Sequence, residues 1–120
     1  MSEIRVTTIS NTAGTGPVTL TGQSAAKTFI RFDGSGTIAI ASSQNVSSID
    51  DDGTGDYGVN YTNNMSNANY TTTTGATSSA AVTVIRLDTL SASSAELRTF
   101  DLASTVNAGN VALNIHGDLA

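Results

Sequence analysis

The sequence predicts an all-β fold, an antiparallel sandwich or barrel-like domain of about eight or nine short strands. Three observations support this class. Short segments in which apolar and polar residues alternate recur along the 120 residues. Glycine, asparagine, aspartate and serine, which favour turns, separate these segments. Only Ser91 to Leu97 has a helix-like pattern, and it is too short to form a stable helix.

We expect one domain over residues 1–120, with residues 1–27 as an N-terminal strand and loop segment and residues 28–120 as the main β body. The first predicted strand is Ser2 to Ser10. Pro17, the only proline, precedes a second strand, Val18 to Thr21. A proline fits there because the first residue of a strand can do without an N–H donor.

The next two predicted strands form a hairpin. They are Lys27 to Phe32 and Thr37 to Ala41, and Asp33-Gly34-Ser35-Gly36 lies between them. Asp-Gly and the second glycine allow positive φ without strain, which a tight β-turn requires.

A second hairpin occupies the stretch around which the rest of the chain is organised. Asn45 to Ile49 is the first strand, residues 50–56 have turn chemistry, and Tyr57 to Tyr61 is the second strand. Side chains alternate in a strand, so Tyr57, Val59 and Tyr61 share one face. An asparagine-rich loop follows, and a further short segment opens at Tyr70.

The C-terminal half ends in three strands. Ala81 to Asp88 and Glu96 to Leu102 are predicted to pair as a hairpin, and Asn110 to Gly117 is the last strand. Thr71 to Ser79 is of low complexity, and its sequence fits a polar strand or a loop equally well.

The apolar core is thin for a chain of this length. Leucine, isoleucine, valine and phenylalanine total 26 residues, and there is no cysteine to form a disulfide. A buried large apolar side chain contributes about 1.5–3 kcal/mol, whereas ordering each residue costs about 1–2 kcal/mol. We therefore expect a homo-oligomer whose copies share an apolar seam. The seam is assigned to Val82, Val84, Val111, Leu113 and Ile115.

Composition argues against nucleic-acid binding and membrane insertion. The net charge is −5, and the five basic residues are scattered rather than grouped to neutralise phosphates. No apolar run approaches the roughly 18 residues that a membrane span needs. The N-terminus lacks the charged and apolar regions of a signal peptide.

The acidic cluster around Gly53 has two interpretations, a calcium loop or a solvated hairpin turn. Val59 occupies the position where an EF-hand loop requires glutamate, and aspartate and glycine are common in turns. The turn is therefore favoured. The cluster consists of Asp50, Asp51, Asp52 and Asp56.

His116 is the only histidine, and no nucleophile stands at a recognisable spacing from it. We expect no catalytic residue, no cofactor and no metal site, and hence no enzyme. The six aromatic residues suit either a sugar-stacking platform or the core, and the shortage of large side chains favours the core. They are Phe29, Phe32, Tyr57, Tyr61, Tyr70 and Phe100.

Four segments are similar to those of one protein group. They read EIRVTTISNTAGTGPVTLTGQSAAK, FDGSGTIAIASSQNVSSI, DGTGDYGVNYTNNMSNANY and, at the end of the chain, HGDLA. In these segments the chain resembles small tail-fibre-like virion proteins of tailed phages, especially those infecting aquatic bacteria. The resemblance covers about the first 70 residues and the last five. The group often has an aromatic residue where Thr28 or Ile30 stands, and phenylalanine in place of Gln44.

The resemblance implies a structural, non-enzymatic virion protein: a trimeric, tail-fibre-like surface component made in the host cytoplasm. Its partners would be other copies of itself, other virion proteins of the tail or capsid, and a host surface glycan. One alternative is a capsid decoration or cement protein, which the short chain suits. A second alternative is a carbohydrate-binding module.

Overall fold

A computed structural model describes residues 12–13, 26–77 and 84–120, which form eight antiparallel strands in two four-stranded sheets and contain no helix. This confirms the predicted all-β class and gives it a sandwich-like form. The predicted strands Ser2 to Ser10 and Val18 to Thr21 lie outside the described residues. The eight strands are β1 (Thr28–Asp33), β2 (Ala39–Gln44), β3 (Val46–Gly53), β4 (Asp56–Tyr61), β5 (Thr71–Thr77), β6 (Val84–Leu90), β7 (Ser94–Phe100) and β8 (Asn110–His116).

The strand order is β2-β1-β8-β5 in the first sheet and β3-β4-β7-β6 in the second. The three predicted hairpins are confirmed, since β1 pairs with β2, β3 with β4, and β6 with β7. The chain passes from one sheet to the other between β2 and β3, β4 and β5, β5 and β6, and β7 and β8. In these strand orders, β2 and β5 are the edges of the first sheet, and β3 and β6 are the edges of the second.

The core lies between the two sheets. Tyr57, Val59 and Tyr61 are buried on one face of β4, as the alternation predicts. The Phe32 ring of the first sheet meets the Tyr57 ring of the second edge to face, with centroids 5.0 Å apart. This geometry is favourable for aromatic rings. Tyr70 is also buried, so the core interpretation of the aromatic residues is confirmed for four of the six, whereas Phe29 and Phe100 are half-buried.

The strand ends are shifted from the prediction; β2 is Ala39–Gln44 rather than Thr37 to Ala41, and the largest shift is at the end of β3. β3 continues to Gly53 and takes in the three consecutive aspartates, with register shifts that accommodate it against β4. The turn is therefore short and rests on Gly53 and Gly55, whose φ angles are +146° and +67°. The threonine-rich segment forms a strand, Thr71–Thr77, because it pairs with β8 along its whole length.

The predicted seam needs correction at three positions. Val111, Leu113 and Ile115 are 0%, 1% and 0% exposed within a single chain. They share one face, as predicted, but that face packs against the second sheet of the same protomer and offers no surface to a sister copy. Val84 is 52% exposed, and Val82 lies outside the described residues.

Candidate functional site

The most exposed strand of the sandwich is β2, and we call it the open edge. All six residues of Ala39–Gln44 are exposed. Ile40 stands opposite the buried Phe32, so it belongs to the inner face of the sheet, yet it is 43% exposed. Within the described part of the chain β2 pairs only with β1. With respect to the described residues, the open edge therefore presents backbone donors and acceptors without a strand partner and an exposed apolar side chain, a combination that favours pairing with another chain.

Asn45 forms the corner that leads from the open edge into β3. Its φ of +57° is in the left-handed region, which asparagine tolerates better than most residues. Its Nδ2 donates to the Asn63 carbonyl oxygen at 2.9 Å, and its Oδ1 accepts from the Asn63 backbone N–H at 2.7 Å. The corner is thereby fixed to the loop between β4 and β5. Sequence reasoning missed this role, although asparagine directly between two strand patterns is the signal that could have found it.

The loop between β4 and β5 also holds the C-terminal segment. Met65 pairs with Leu119 in an isolated antiparallel bridge, and the Ser66 N–H donates to the Asp118 carbonyl oxygen at 2.8 Å. Glycine at position 117 allows the two segments to approach this closely, because a Cβ there would lie only 2.7 Å from Tyr70 Cβ. Two segments that are far apart in sequence, MSNANY and HGDLA, thus form one structural unit.

A pair of tyrosine hydroxyls lies beneath this unit. The Tyr61 and Tyr70 oxygens are 2.8 Å apart, and Tyr70 is also within 3.0 Å of the Ser91 carbonyl oxygen and 3.1 Å of the Ser94 carbonyl oxygen. Burial raises the pKa of both hydroxyls, and the hydrogen bond to Tyr70 raises the pKa of Tyr61 further. Both tyrosines are therefore neutral hydrogen-bonding groups that join the second sheet to the loop.

The outer face of the second sheet carries a row of ion pairs. Arg98 lies 2.9 Å from Asp56 and 3.0 Å from Asp88, and Asp88 also pairs with Arg86. The Arg86 guanidinium stacks over the Phe100 ring at 5.2 Å. The row connects β4, β7 and β6, and its partial exposure limits the contribution of each pair to stability.

Beside this row is an excess of negative charge. A Cβ at Gly58 would lie 3.1 Å from a carboxylate oxygen of Glu96 and 3.4 Å from one of Asp52, so both carboxylates reach over this glycine. Burial raises the pKa of Glu96, and the charges of Asp52, Asp56 and Asp50 raise it further. Asp50 accepts a hydrogen bond of 2.7 Å from Asn60 Nδ2.

The predicted acidic cluster does not converge on one point. Asp50 is bonded to Asn60, Asp51 stands opposite Tyr57, Asp52 reaches towards Glu96, and Asp56 is paired with Arg98. Among the described residues, no three histidine, cysteine, aspartate or glutamate side chains are grouped so that they could hold a metal ion.

His116 is at the end of β8, opposite Thr71 and half-buried. Its carbonyl oxygen accepts a hydrogen bond of 3.4 Å from Thr71 Oγ1. The backbone of the residue is therefore engaged in the pairing of β8 with β5.

A groove lies on the first sheet and has a volume of about 340 Å³. Gly75 of β5, Ala112 of β8 and Arg31 of β1 stand side by side across three strands. Arg31 Nη2 donates to Asn110 Oδ1 at 3.0 Å. We call this feature the β5 groove. It is lined by Arg31, Gly75, Ala76, Asn110, Val111 and Ala112.

Comparisons of the chain with protein-family models, with curated proteins and with solved structures each found no match. In the part of the chain that the structure describes, no helix has the length and apolar character needed to cross a membrane.

Proposed function

We propose that the chain is a structural, non-enzymatic component of a tailed-phage virion, a tail-fibre-like surface protein that assembles as a trimer. The observation that supports assembly is the open edge, whereas the virion role is proposed from the resemblance of the four segments. Ile40 faces the interior side of the first sheet but is 43% exposed, so the described residues of one chain leave the sandwich incomplete along β2. A neighbouring protomer would cover this side chain and pair with the free backbone groups.

The contacts within the resembling segments support a structural role. FDGSG forms the end of β1 and the turn towards β2, and DGTGDYGVNY forms the end of β3, the turn and β4. MSNANY and HGDLA meet through Met65 and Leu119. The segments that carry the resemblance therefore act in turns, pairing and packing.

A closed ring of identical copies is one assembly in which such an edge is covered. An edge that joins a different surface of the next copy gives either a ring or an open filament, and three copies are enough to close a ring. Closure would cover every open edge and explain how a chain with a thin core becomes a rigid part of a particle.

Electron microscopy of purified phage particles labelled with an antibody against this chain tests the proposal. Label at the tail is the expected result. Label distributed over the head would replace the tail-fibre role with the capsid decoration role. Particles that lack the chain altogether would refute both virion roles.

A further inference from the structure

We propose that the β5 groove binds an acidic sugar, a saccharide that carries a carboxylate. Gly75 lies inside β5, and glycine is unfavourable within a strand. A Cβ at this position would meet no heavy atom within 4 Å. No close packing therefore requires glycine here, and its effect is to leave open space on the outer face of the sheet.

The neighbouring residues enlarge this space. Ala112 is directly opposite Gly75, and its side chain is on the outer face because Val111 and Leu113 on either side are buried. Two small residues on adjacent strands produce a shallow floor next to the longer side chain of Arg31. Interior glycine in a strand marks a bulge, a bend or a place where a ligand or another backbone approaches closely, and the pairing of β5 with β8 has no register shift that would indicate a bulge.

The positive charge of Arg31 favours a negatively charged ligand in the β5 groove. It is the one charged side chain among the residues that line the β5 groove, and it is exposed. One guanidinium nitrogen donates to Asn110 Oδ1, which leaves further N–H groups for a ligand. The planar guanidinium is suited to a carboxylate, which it can bind through two parallel hydrogen bonds.

Neutral polar groups around the floor suit the hydroxyl groups of a sugar. Asn110 uses its oxygen to accept from Arg31, and its Nδ2 group, which bonds no described residue, is suited to donate to a hydroxyl. Thr73 and Asn114 are the next outward-facing pair along β5 and β8. A volume of about 340 Å³ is at the small end of the range for small-molecule sites. A local depression of this size fits a short saccharide better than a folded partner, whose interface would need about 800 Å² on each side.

The proposal rests on the proposed function only for the origin of the sugar, an acidic polysaccharide on the host surface. The binding itself is tested with the full chain and two probes, D-galacturonic acid and D-galactose. These sugars differ only in that the first carries a carboxyl group where the second has a hydroxymethyl group. Amide-resolved NMR titration measures the affinity and reports which residues respond.

The wild-type chain should bind galacturonic acid, with responses at the residues lining the β5 groove, and bind galactose roughly tenfold more weakly. Gly75→Val should reduce the affinity for galacturonic acid roughly tenfold because it fills the groove. Arg31→Gln should reduce it similarly because it removes the charge. Arg86→Gln, which removes an exposed arginine on the other sheet, is the matched control and should bind like the wild type.

Equal affinity for the two sugars, undiminished binding by Gly75→Val, or no binding would overturn the proposal. If Gly75→Val does not fold, Arg31→Gln and the two-sugar comparison decide the outcome. An acidic peptide that competes as well as galacturonic acid would assign the groove to a protein partner and also overturn the proposal. Failure here with antibody label present on virions would leave the proposed function intact, so the two failures are distinguishable.

Discussion

The side-chain amide of Asn45 donates a hydrogen bond of 2.8 Å to Thr28 Oγ1, which ties the corner between β2 and β3 to the first residue of β1. Thr28 is fully buried, so its hydroxyl depends on a protein partner. The Asn45 side chain also forms two hydrogen bonds with the backbone of Asn63 in the β4–β5 loop. One side chain therefore connects three separate parts of the sandwich beside the open edge.

Replacing Asn45 should destabilise the fold in two separable ways. Asn45→Gly removes the side-chain hydrogen bonds but accepts the positive φ, and should cost about 1–3 kcal/mol. Asn45→Ala loses the same bonds and must also adopt a left-handed backbone, which adds roughly 1 kcal/mol. Urea unfolding at one fixed protein concentration measures both. Equal stability of the glycine and alanine variants would show that the backbone of Asn45 is not constrained as described.

Gly34 should be intolerant of even one methyl group. A Cβ there would clash with the Tyr57 hydroxyl and lie 2.7 Å from Tyr57 Cζ. This tyrosine is fixed, because its hydroxyl donates to the Gly34 carbonyl oxygen at 3.1 Å. Gly34→Ala should therefore cost roughly 1–3 kcal/mol by overpacking.

The control for this variant is Gly75→Ala, where the added Cβ meets nothing within 4 Å. It should change stability by less than about 1 kcal/mol, in the stabilising direction, because alanine restricts the unfolded chain more than glycine does. Thermal unfolding of both variants measures the contrast, and similar midpoints would contradict the packing described around Tyr57.

The hairpins and the core face of β4 were predictable because they depend on local signals. The Asp33-Gly34 turn and the alternation of Tyr57, Val59 and Tyr61 each act within a few residues. The end of β3 was not predictable in the same way. Asp50 to Gly53 has turn composition, but pairing with β4 keeps these residues in the strand.

The contributions of two carboxylates on the second sheet to folding stability should change with pH in opposite directions. The pKa of Glu96 is raised by burial and by neighbouring aspartates, so its ionisation weakens the fold as pH rises through that pKa. Glu96→Gln should be more stable than the wild type at neutral pH and equal to it below the ordinary glutamate pKa.

Asp88 is the matched opposite case, since the hydrogen bond from Arg86 lowers its pKa. Its stabilising contribution is present at neutral pH and disappears as the carboxylate is protonated in acid. Asp88→Asn should therefore be less stable than the wild type at neutral pH only. Urea midpoints of both variants at neutral and acid pH measure this, and shifts of the same sign at neutral pH would contradict the charge arrangement.

Strong alkali should unfold the protein through its buried tyrosines. Burial raises the pKa values of Tyr57, Tyr61 and Tyr70, so the folded state retains protons that the unfolded chain loses at about pH 10. Stability should fall as pH rises above that value. Tyrosinate absorbance should increase in one step together with loss of the β-sheet circular dichroism signal. Gradual ionisation of all three tyrosines in a folded protein would contradict their burial.

The candidate site was less predictable than the fold, for a physical reason. Alternation in β8 shows that Val111, Leu113 and Ile115 share a face, but it does not show what covers that face. Alternation likewise places Ile40 on the inner face of its strand, but it does not show that this side chain is 43% exposed. Gly75 stands out only once its pairing with β8 reveals that it lies inside a strand.

The central claim is that sister copies complete the open edge. Native mass measurement of the full chain tests it most directly, with Ile40→Asp to disrupt the edge and Leu102→Asp as an exposed apolar control in the segment between β7 and β8. The wild type and the Leu102 variant should form a particle of three times the 12.2 kDa chain mass, and the Ile40 variant should form single chains. A wild-type mass of one chain at every concentration tested, with the fold intact, would contradict it.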